Sequence, residues 1–207
     1  MADLTLYTHP QSRGRIARWM LEEVGAAYDT QVLGYGDTMK AAAFLDINPM
    51  GKVPTIVHRG RVVTETAAIC AYLAEEFPDA GLAPRAEERA DFHRWMFFAA
   101  GPLESAITNK YLGVSTEGKE AMAGYGSYDA TVATLERAVS AHPYVAGERF
   151  TAADVYVGSH LMWGMQFGSL PKRDAFDGYL SRVSGRPAHL RATELDDALE
   201  AEMAKAA

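Results

Sequence analysis

The amino-acid sequence predicts a two-part fold: a small α/β unit followed by an all-helical one. Two observations carry this. Up to about residue 78, short alternating or β-branched runs are interleaved with helical periodicity. Beyond Pro84 strand signals nearly vanish, and apolar residues recur at helical spacing. Pro78 to Pro84, with Gly81 between them, reads as a linker, so the expected domains are 1–78 and 85–207.

In the front part, Leu4-Thr5-Leu6-Tyr7 alternates as a half-buried strand should, and His9-Pro10-Gln11 ends it. The helix that follows carries Ile16, Trp19, Met20 and Val24 on one face, with Gly25 placed to close it in a left-handed cap. Residues 28–32 read as a second strand. A weak helical stretch follows at 41–45, and Asn48-Pro49 marks a turn. Thr55-Ile56-Val57 and Arg61-Val62-Val63-Thr64 flank His58-Arg59-Gly60 as an antiparallel hairpin. Ile69, Cys70, Leu73 and Phe77 then line one face of a helix that Pro78 stops. Strand, helix, strand, weak helix, hairpin, helix is the order of a thioredoxin-like domain. In the back part, helices are expected over 86–109, 118–141, 151–165, 175–184 and 187–202.

Composition narrows the function. With 48% apolar residues, 23% charged residues and nine scattered prolines, the chain is that of an ordinary globular protein. Its formal net charge of -7 gives no electrostatic case for nucleic acid or an anionic membrane surface, so an anionic ligand needs a local positive site. The lone cysteine, Cys70, excludes an internal disulfide framework and a cysteine-based zinc site, and it fits a reducing compartment. The start Met1-Ala2-Asp3 lacks a basic leader pattern, and no apolar run approaches the length of a membrane span. A cytoplasmic location is expected, with no metal.

The chemistry is concentrated in Lys52-Val53-Pro54-Thr55 and in Glu65-Thr66. A proline just before a strand removes a ladder donor from the sheet. If its bond is cis, Val53 turns its N–H and C=O outward, toward an extended peptide ligand; a trans proline would merely open the strand. Glu65-Thr66 stands where a strand passes into a helix, so free N–H groups and the positive dipole end favour a carboxylate there. Thr66 can add its hydroxyl, and Glu65 suits the ammonium of the same amino-acid head group; the pair would equally make a plain helix cap. Taken together, the two motifs describe a site for an extended peptide with a γ-glutamyl head.

The run Asn48-Pro49-Met50-Gly51-Lys52-Val53-Pro54-Thr55, followed by Glu65-Thr66-Ala67-Ala68-Ile69, closely resembles the glutathione-binding core of cytosolic glutathione S-transferases. Thr66 keeps the hydroxyl where the family usually has serine. Arg149-Phe150-Thr151-Ala152-Ala153-Asp154-Val155 resembles the family's capping motif in the central helix of its helical domain, a folding device rather than a catalytic group. The resemblance, to bacterial, serine-type members, implies the glutathione S-transferase fold and a homodimer. It implies glutathione as co-substrate at Lys52, Val53, Pro54, Glu65 and Thr66, and a small hydrophobic electrophile as acceptor in a detoxifying reaction.

A thiol with a pKa near 8.5 is only a few per cent ionised at pH 7, so something must favour the thiolate. Ser12, near the start of the first helix, resembles the serine that several classes of the family use. Thr8 is the reserve. Tyr7 sits in position for the tyrosine of other classes, but its place in the strand favours a structural role. His9 could hydrogen-bond the thiolate, although a surface loop histidine is the expected role, and Arg13 and Arg15 are expected as mouth charges or as partners of Glu22 or Glu23. Cys70, on an apolar helix face, is not expected to react. For the acceptor pocket, expected from the helical domain, Thr8, Phe98, Pro102, Tyr111 and Trp163 are candidates, although apolar residues at helical spacing usually pack in a core. Reduction of disulfides or peroxides, isomerisation or dehalogenation at the same site remain open, as does a non-catalytic binding protein.

Overall fold

The computed structural model describes residues 2–206, which fall into two compact units: one up to residue 82 together with 186 onward, and one of 83–185. The first is built on a four-stranded sheet of order β2-β1-β3-β4, from β1 (Leu4–Thr8), β2 (Asp29–Val32), β3 (Thr55–His58) and β4 (Arg61–Val63). β1 and β2 are parallel, joined across α1 (Gly14–Val24), and the other pairs are antiparallel. This is the thioredoxin-like arrangement. Leu4, Leu6 and Thr8 bury one face of β1, and Ile16, Trp19 and Met20 bury the matching face of α1. Gly25 closes α1 at φ 66°, its N–H returned to the Glu22 carbonyl. The hairpin turns on Arg59 and Gly60, both at positive φ as a two-residue hairpin turn requires.

Between β2 and β3 run a short 3₁₀ turn (Thr38–Lys40) and α2 (Ala42–Leu45). After β4, α3 (Thr66–Glu76) packs against α1 through Ile69, Cys70 and Leu73. The last helix, α9 (Pro187–Ala206), also belongs to this unit, since it lies along α1. Secondary-structure type divides the chain at the linker, whereas packing returns α9 to the sheet unit.

The second unit contains α4 (Arg89–Phe98), α5 (Glu104–Tyr111), α6 (Tyr128–Ala141), α7 (Ala152–Gln166) and α8 (Asp174–Val183). Two departures from the expected helices have local causes. A π turn at Ala99–Leu103 interrupts the helix expected over 86–109; it contains Pro102, which has no N–H to give. The helix expected from residue 118 begins only at Tyr128, because Gly118 and Gly126 take left-handed backbone angles and Ser127 then caps the helix by accepting from the Ala130 N–H. α7 is buried from Ala152 to Leu161 and opens on a capping box between Thr151 and Asp154. Phe150 lies edge-on to Tyr144, at 5.8 Å. Among the described residues no helix is long and apolar enough to cross a membrane.

Candidate functional site

The strand register gathers the motifs. β1 runs antiparallel to β3, with Tyr7 opposite Thr55, and β3 runs antiparallel to β4, with Ile56 opposite Val63. The exit of β1, the entry of β3 and the exit of β4 therefore lie at one end of the sheet. Ser12, Val53-Pro54 and Glu65-Thr66 hang from those three strand ends.

The Val53–Pro54 peptide is cis. Its position is set by a locked turn. Asn48, nearly buried, donates from Nδ2 to the Lys52 carbonyl at 2.9 Å and to Thr55 Oγ1 at 3.0 Å, and its Oδ1 accepts from the Met50 N–H. Thr55 Oγ1 in turn donates to the Lys52 carbonyl at 3.1 Å. Lys40 Nζ spans the Met50 and Gly51 carbonyls at 3.0 and 2.8 Å. Gly51 is required there: its φ is 55°, and a side chain would strike the Met39 carbonyl at 2.8 Å. The Val53 N–H and C=O have no hydrogen-bond partner among the described residues. Lys52 is exposed beside them.

Glu65 caps α3 at φ 62° and ψ 114°, a backbone setting that a non-glycine residue holds only where its surroundings impose it. Thr66 is thus the first helical residue rather than the cap, and it is nearly buried. Ile69 is the first N–H to bond back, to the Glu65 carbonyl, which leaves the N–H groups of Thr66, Ala67 and Ala68 without a partner in the helix. The end of β4 presents main-chain donors and the positive helix end together with a carboxylate.

At the exit of β1, α1 starts at Gly14, two residues past Ser12. The Ser12 hydroxyl donates to the His9 carbonyl at 2.7 Å and accepts from the Gly14 N–H at 2.9 Å. Thr8, expected as a reserve activator and pocket residue, is instead fully buried, its Oγ1 without a hydrogen-bond partner. The reason is Gly14: a Cβ there would lie 1.9 Å from Thr8 Oγ1, so the bare backbone of the helix start seals Thr8 in. Tyr7 packs its ring on Phe44 at 5.5 Å, a structural role.

His9 is not a surface histidine. It is 6% exposed, with its ring tilted against that of Tyr35 at 4.3 Å, and its Nδ1 accepts from the Gln11 N–H, which leaves the proton on Nε2. Burial holds its pKa below the ordinary value, against an opposing pull from Glu200, so the ring is neutral at pH 7. Arg15 does not pair within its own segment. It reaches Asp197 and Glu200 of α9, while Glu22 and Glu23 accept from Arg191 and Arg186. Cys70 is buried, and burial pushes its thiol well above the ordinary range, so it stays protonated.

In the helical unit, Phe98 and Trp163 are half-buried and Phe98 meets Trp95 edge-on; Pro102 sits in the π turn; Tyr111, at the end of α5, is 87% exposed. A cavity of about 380 Å³ in this unit is lined instead by the neighbouring Ala106 and Lys110, with Tyr125 and Tyr128. No cluster of three or more metal-binding side chains occurs among the described residues. Lys40, Asn48 and Gly14 hold the Val53-Pro54 turn and the start of α1 in shape; of the three, the sequence points only to Asn48, through its turn signal and its place at the head of the run that resembles the glutathione-binding core.

A family model for the glutathione S-transferase N-terminal domain matches residues 13–76. Over 174 residues the chain is 30% identical to glutathione S-transferase GST-4.5 of Xanthomonas campestris, covering 80% of this chain and 82% of that one. Over 164 residues it is 31% identical to elongation factor 1-gamma of Drosophila melanogaster, covering 76% of this chain and 37% of that one. A solved theta class glutathione S-transferase of Xanthomonas axonopodis pv. citri, with glutathione bound, matches with a TM-score of 0.73 at 26% identity, over 93% of this chain and 98% of that one. With the sheet topology and both sequence motifs in agreement, the chain belongs to the glutathione S-transferase family.

Proposed function

We propose that this protein is a bacterial, serine-type glutathione transferase that joins the thiolate of glutathione to a small hydrophobic electrophile. The observation that carries this is the convergence of three differently equipped strand ends on one end of the sheet. Adjacent strands lie about 4.8 Å apart, so the ends of β4 and β1, two strands away, are separated by roughly 10 Å. An extended tripeptide spans about the same length.

In this mechanism the γ-glutamyl carboxylate takes the free N–H groups and hydroxyl at Thr66, and Glu65 takes the ammonium. The Val53 N–H and C=O pair with the cysteinyl main chain as a short strand would, with Pro54 shaping the turn and Lys52 near the glycine carboxylate. That brings the sulfur to the Ser12 turn. The Ser12 O–H swings from the His9 carbonyl to the sulfur, while the Gly14 N–H keeps hold of Oγ and polarises it. Lowering the thiol pKa by two units needs about 2.7 kcal/mol of preference for the anion, within reach of a hydroxyl and a helix start. The sulfur then attacks the electrophile and displaces its leaving group, or adds to its double bond. Phe98, Pro102, Tyr111 and Trp163 are the proposed acceptor contacts, and the active form is proposed to be a cytoplasmic homodimer.

The test is the ultraviolet absorbance of the bound thiolate against pH, alongside turnover of an activated aryl halide. Ser12→Ala is expected to raise the bound thiol's pKa by at least about one unit and to slow turnover about tenfold or more. An unchanged pKa overturns the role of Ser12. The likeness to elongation factor 1-gamma favours a second reading, a binding protein without transfer; saturable glutathione binding with no turnover of aryl halides, disulfides or peroxides would select it.

A further inference from the structure

α1 and α9 carry mirrored charges. Along α1, Arg15 and Arg18 precede Glu22 and Glu23; Arg186 stands just before α9, which carries Arg191 ahead of Asp196, Asp197 and Glu200. Both arrangements run against the helix dipole, which favours acids at the N-terminal end and bases at the C-terminal end. Their pairing explains the placement. Lying antiparallel, the helices join Arg15 to Asp197 and Glu200, Arg18 to Asp196, Glu22 to Arg191 and Glu23 to Arg186.

The pairing at one end does more than hold helices together. The Arg15 guanidinium donates through Nε to the Pro10 carbonyl, through Nη1 to Asp197 at 2.7 Å and through Nη2 to Glu200 Oε2 at 3.0 Å. The other oxygen of Glu200 accepts from Gln11 Nε2 at 2.8 Å. The Tyr35 hydroxyl donates to the Gln11 carbonyl at 3.0 Å. Pro10 and Gln11 are the residues between His9, whose carbonyl holds the Ser12 proton, and Ser12 itself. Glu200 and Arg15 thus fix the segment from both its main chain and its side chain.

We propose that Glu200 and Asp197, at the far end of the chain, are positioning residues for the Ser12 turn and act through Arg15 and Gln11. The role rests on the assignment of Ser12 above. Neither acid touches the glutathione; each sets where the Ser12 hydroxyl and the Gly14 N–H stand when the sulfur arrives. A small displacement of such a donor is enough to weaken its stabilisation of the thiolate.

The experiment compares Glu200→Ala and the milder Arg15→Lys with Arg191→Ala, which breaks an ion pair between the same helices at the end away from the turn, and with Ser12→Ala as reference. The readouts are the bound thiol's pKa and the separate kcat and KM for glutathione, with circular dichroism to check the fold. Glu200→Ala and Arg15→Lys are expected to raise the thiol pKa and lower kcat about fivefold, while Arg191→Ala leaves both unchanged. If Glu200→Ala and Arg191→Ala behave alike, the acids serve only helix docking and the proposal falls. If Ser12→Ala shifts the thiol but Glu200→Ala and Arg15→Lys do not, the proposal falls while the transferase assignment stands. If Ser12→Ala shifts nothing, that assignment is the one that fails.

Discussion

Asp154 in the helical unit and Asp196 in the sheet unit are both 0% exposed, yet they are held in opposite ways. Asp154 accepts from neutral donors: the N–H groups of Val145 and Thr151, the Thr151 hydroxyl and the Tyr179 hydroxyl, at 2.8 to 3.1 Å. Asp196 has a charged partner, Arg18, at 2.8 Å, and both its second oxygen and Arg18 Nη2 are buried without a hydrogen bond. The first network stays within 25 positions of Asp154, sets where α7 begins and ties α7 to α8 through Tyr179. The second joins residues 178 positions apart and sets which helix docks on α1. A carboxylate satisfied by neutral donors adds stability, whereas a buried ion pair, once desolvation is counted, adds little but selects a partner.

The largest expected effect follows from that contrast. Asp154→Ala leaves buried N–H and O–H groups unsatisfied and removes one half of the α7 capping box, so a loss of about 4–5 kcal/mol is expected by denaturant unfolding. Asp196→Ala strands a guanidinium that is 3% exposed, for a loss of about 3–4 kcal/mol. The two separate in the rescue experiment. Replacing both members, Arg18→Met with Asp196→Leu, is expected to return stability to within about 1 kcal/mol of the parent, because no charge is then left buried. A double variant as unstable as Asp196→Ala would show that the pair is worth as much as the Asp154 network and would dissolve the distinction.

Next in size is Gly14→Ala, at the end of α1 where the clamp from α9 meets the Ser12 turn. The new methyl would stand 1.9 Å from Thr8 Oγ1 and 2.9 Å from Ser12 Oγ, and Thr8 is a stiff, buried side chain. Overpacking of this kind costs about 1–3 kcal/mol. The turn should suffer with it, so glutathione transfer is expected to fall more steeply than thermal stability. Loss of stability with transfer intact would detach the helix start from the site.

How much of this was legible in the sequence follows from the range of each interaction. The order of strands and helices in the front unit was readable, because alternation, the Gly25 cap and the Arg59-Gly60 turn are local. So were the places of Val53-Pro54 and Glu65-Thr66, since each is a short run at an element boundary. The π turn at Pro102 was hidden by apolar periodicity that continues on either side of it. The burial of His9 depends on Tyr35, and the docking of α9 on charges matched across the whole chain; neither has a signature within a window of ordinary length. The hydroxyl of Ser12 was correctly placed near the helix start, but its bond to the His9 carbonyl belongs to a turn geometry that residue types alone do not specify.

The smallest effect tests whether charge or burial makes the difference between the two aspartates. Glu88, 9% exposed, and Arg149, whose side chain stays 23% exposed, form a two-pronged pair in the helical unit at 2.6 and 3.2 Å, and Glu88 also accepts from the Arg85 N–H. The hydrogen bonds from Arg149 hold the Glu88 carboxyl below its ordinary value of 4.5, against the effect of burial. With the folded value depressed, the unfolded chain takes up the proton first. The stabilisation is therefore present above pH 4.5 and is lost as pH falls through the lower folded value. Glu88→Gln should cost about 1–2 kcal/mol at pH 7, and its gap from the parent should close as the pH drops below that range. A gap as large as that of Asp196→Ala, or one that does not change with pH, would mean that charge pairing itself, rather than burial, governs how these carboxylates act.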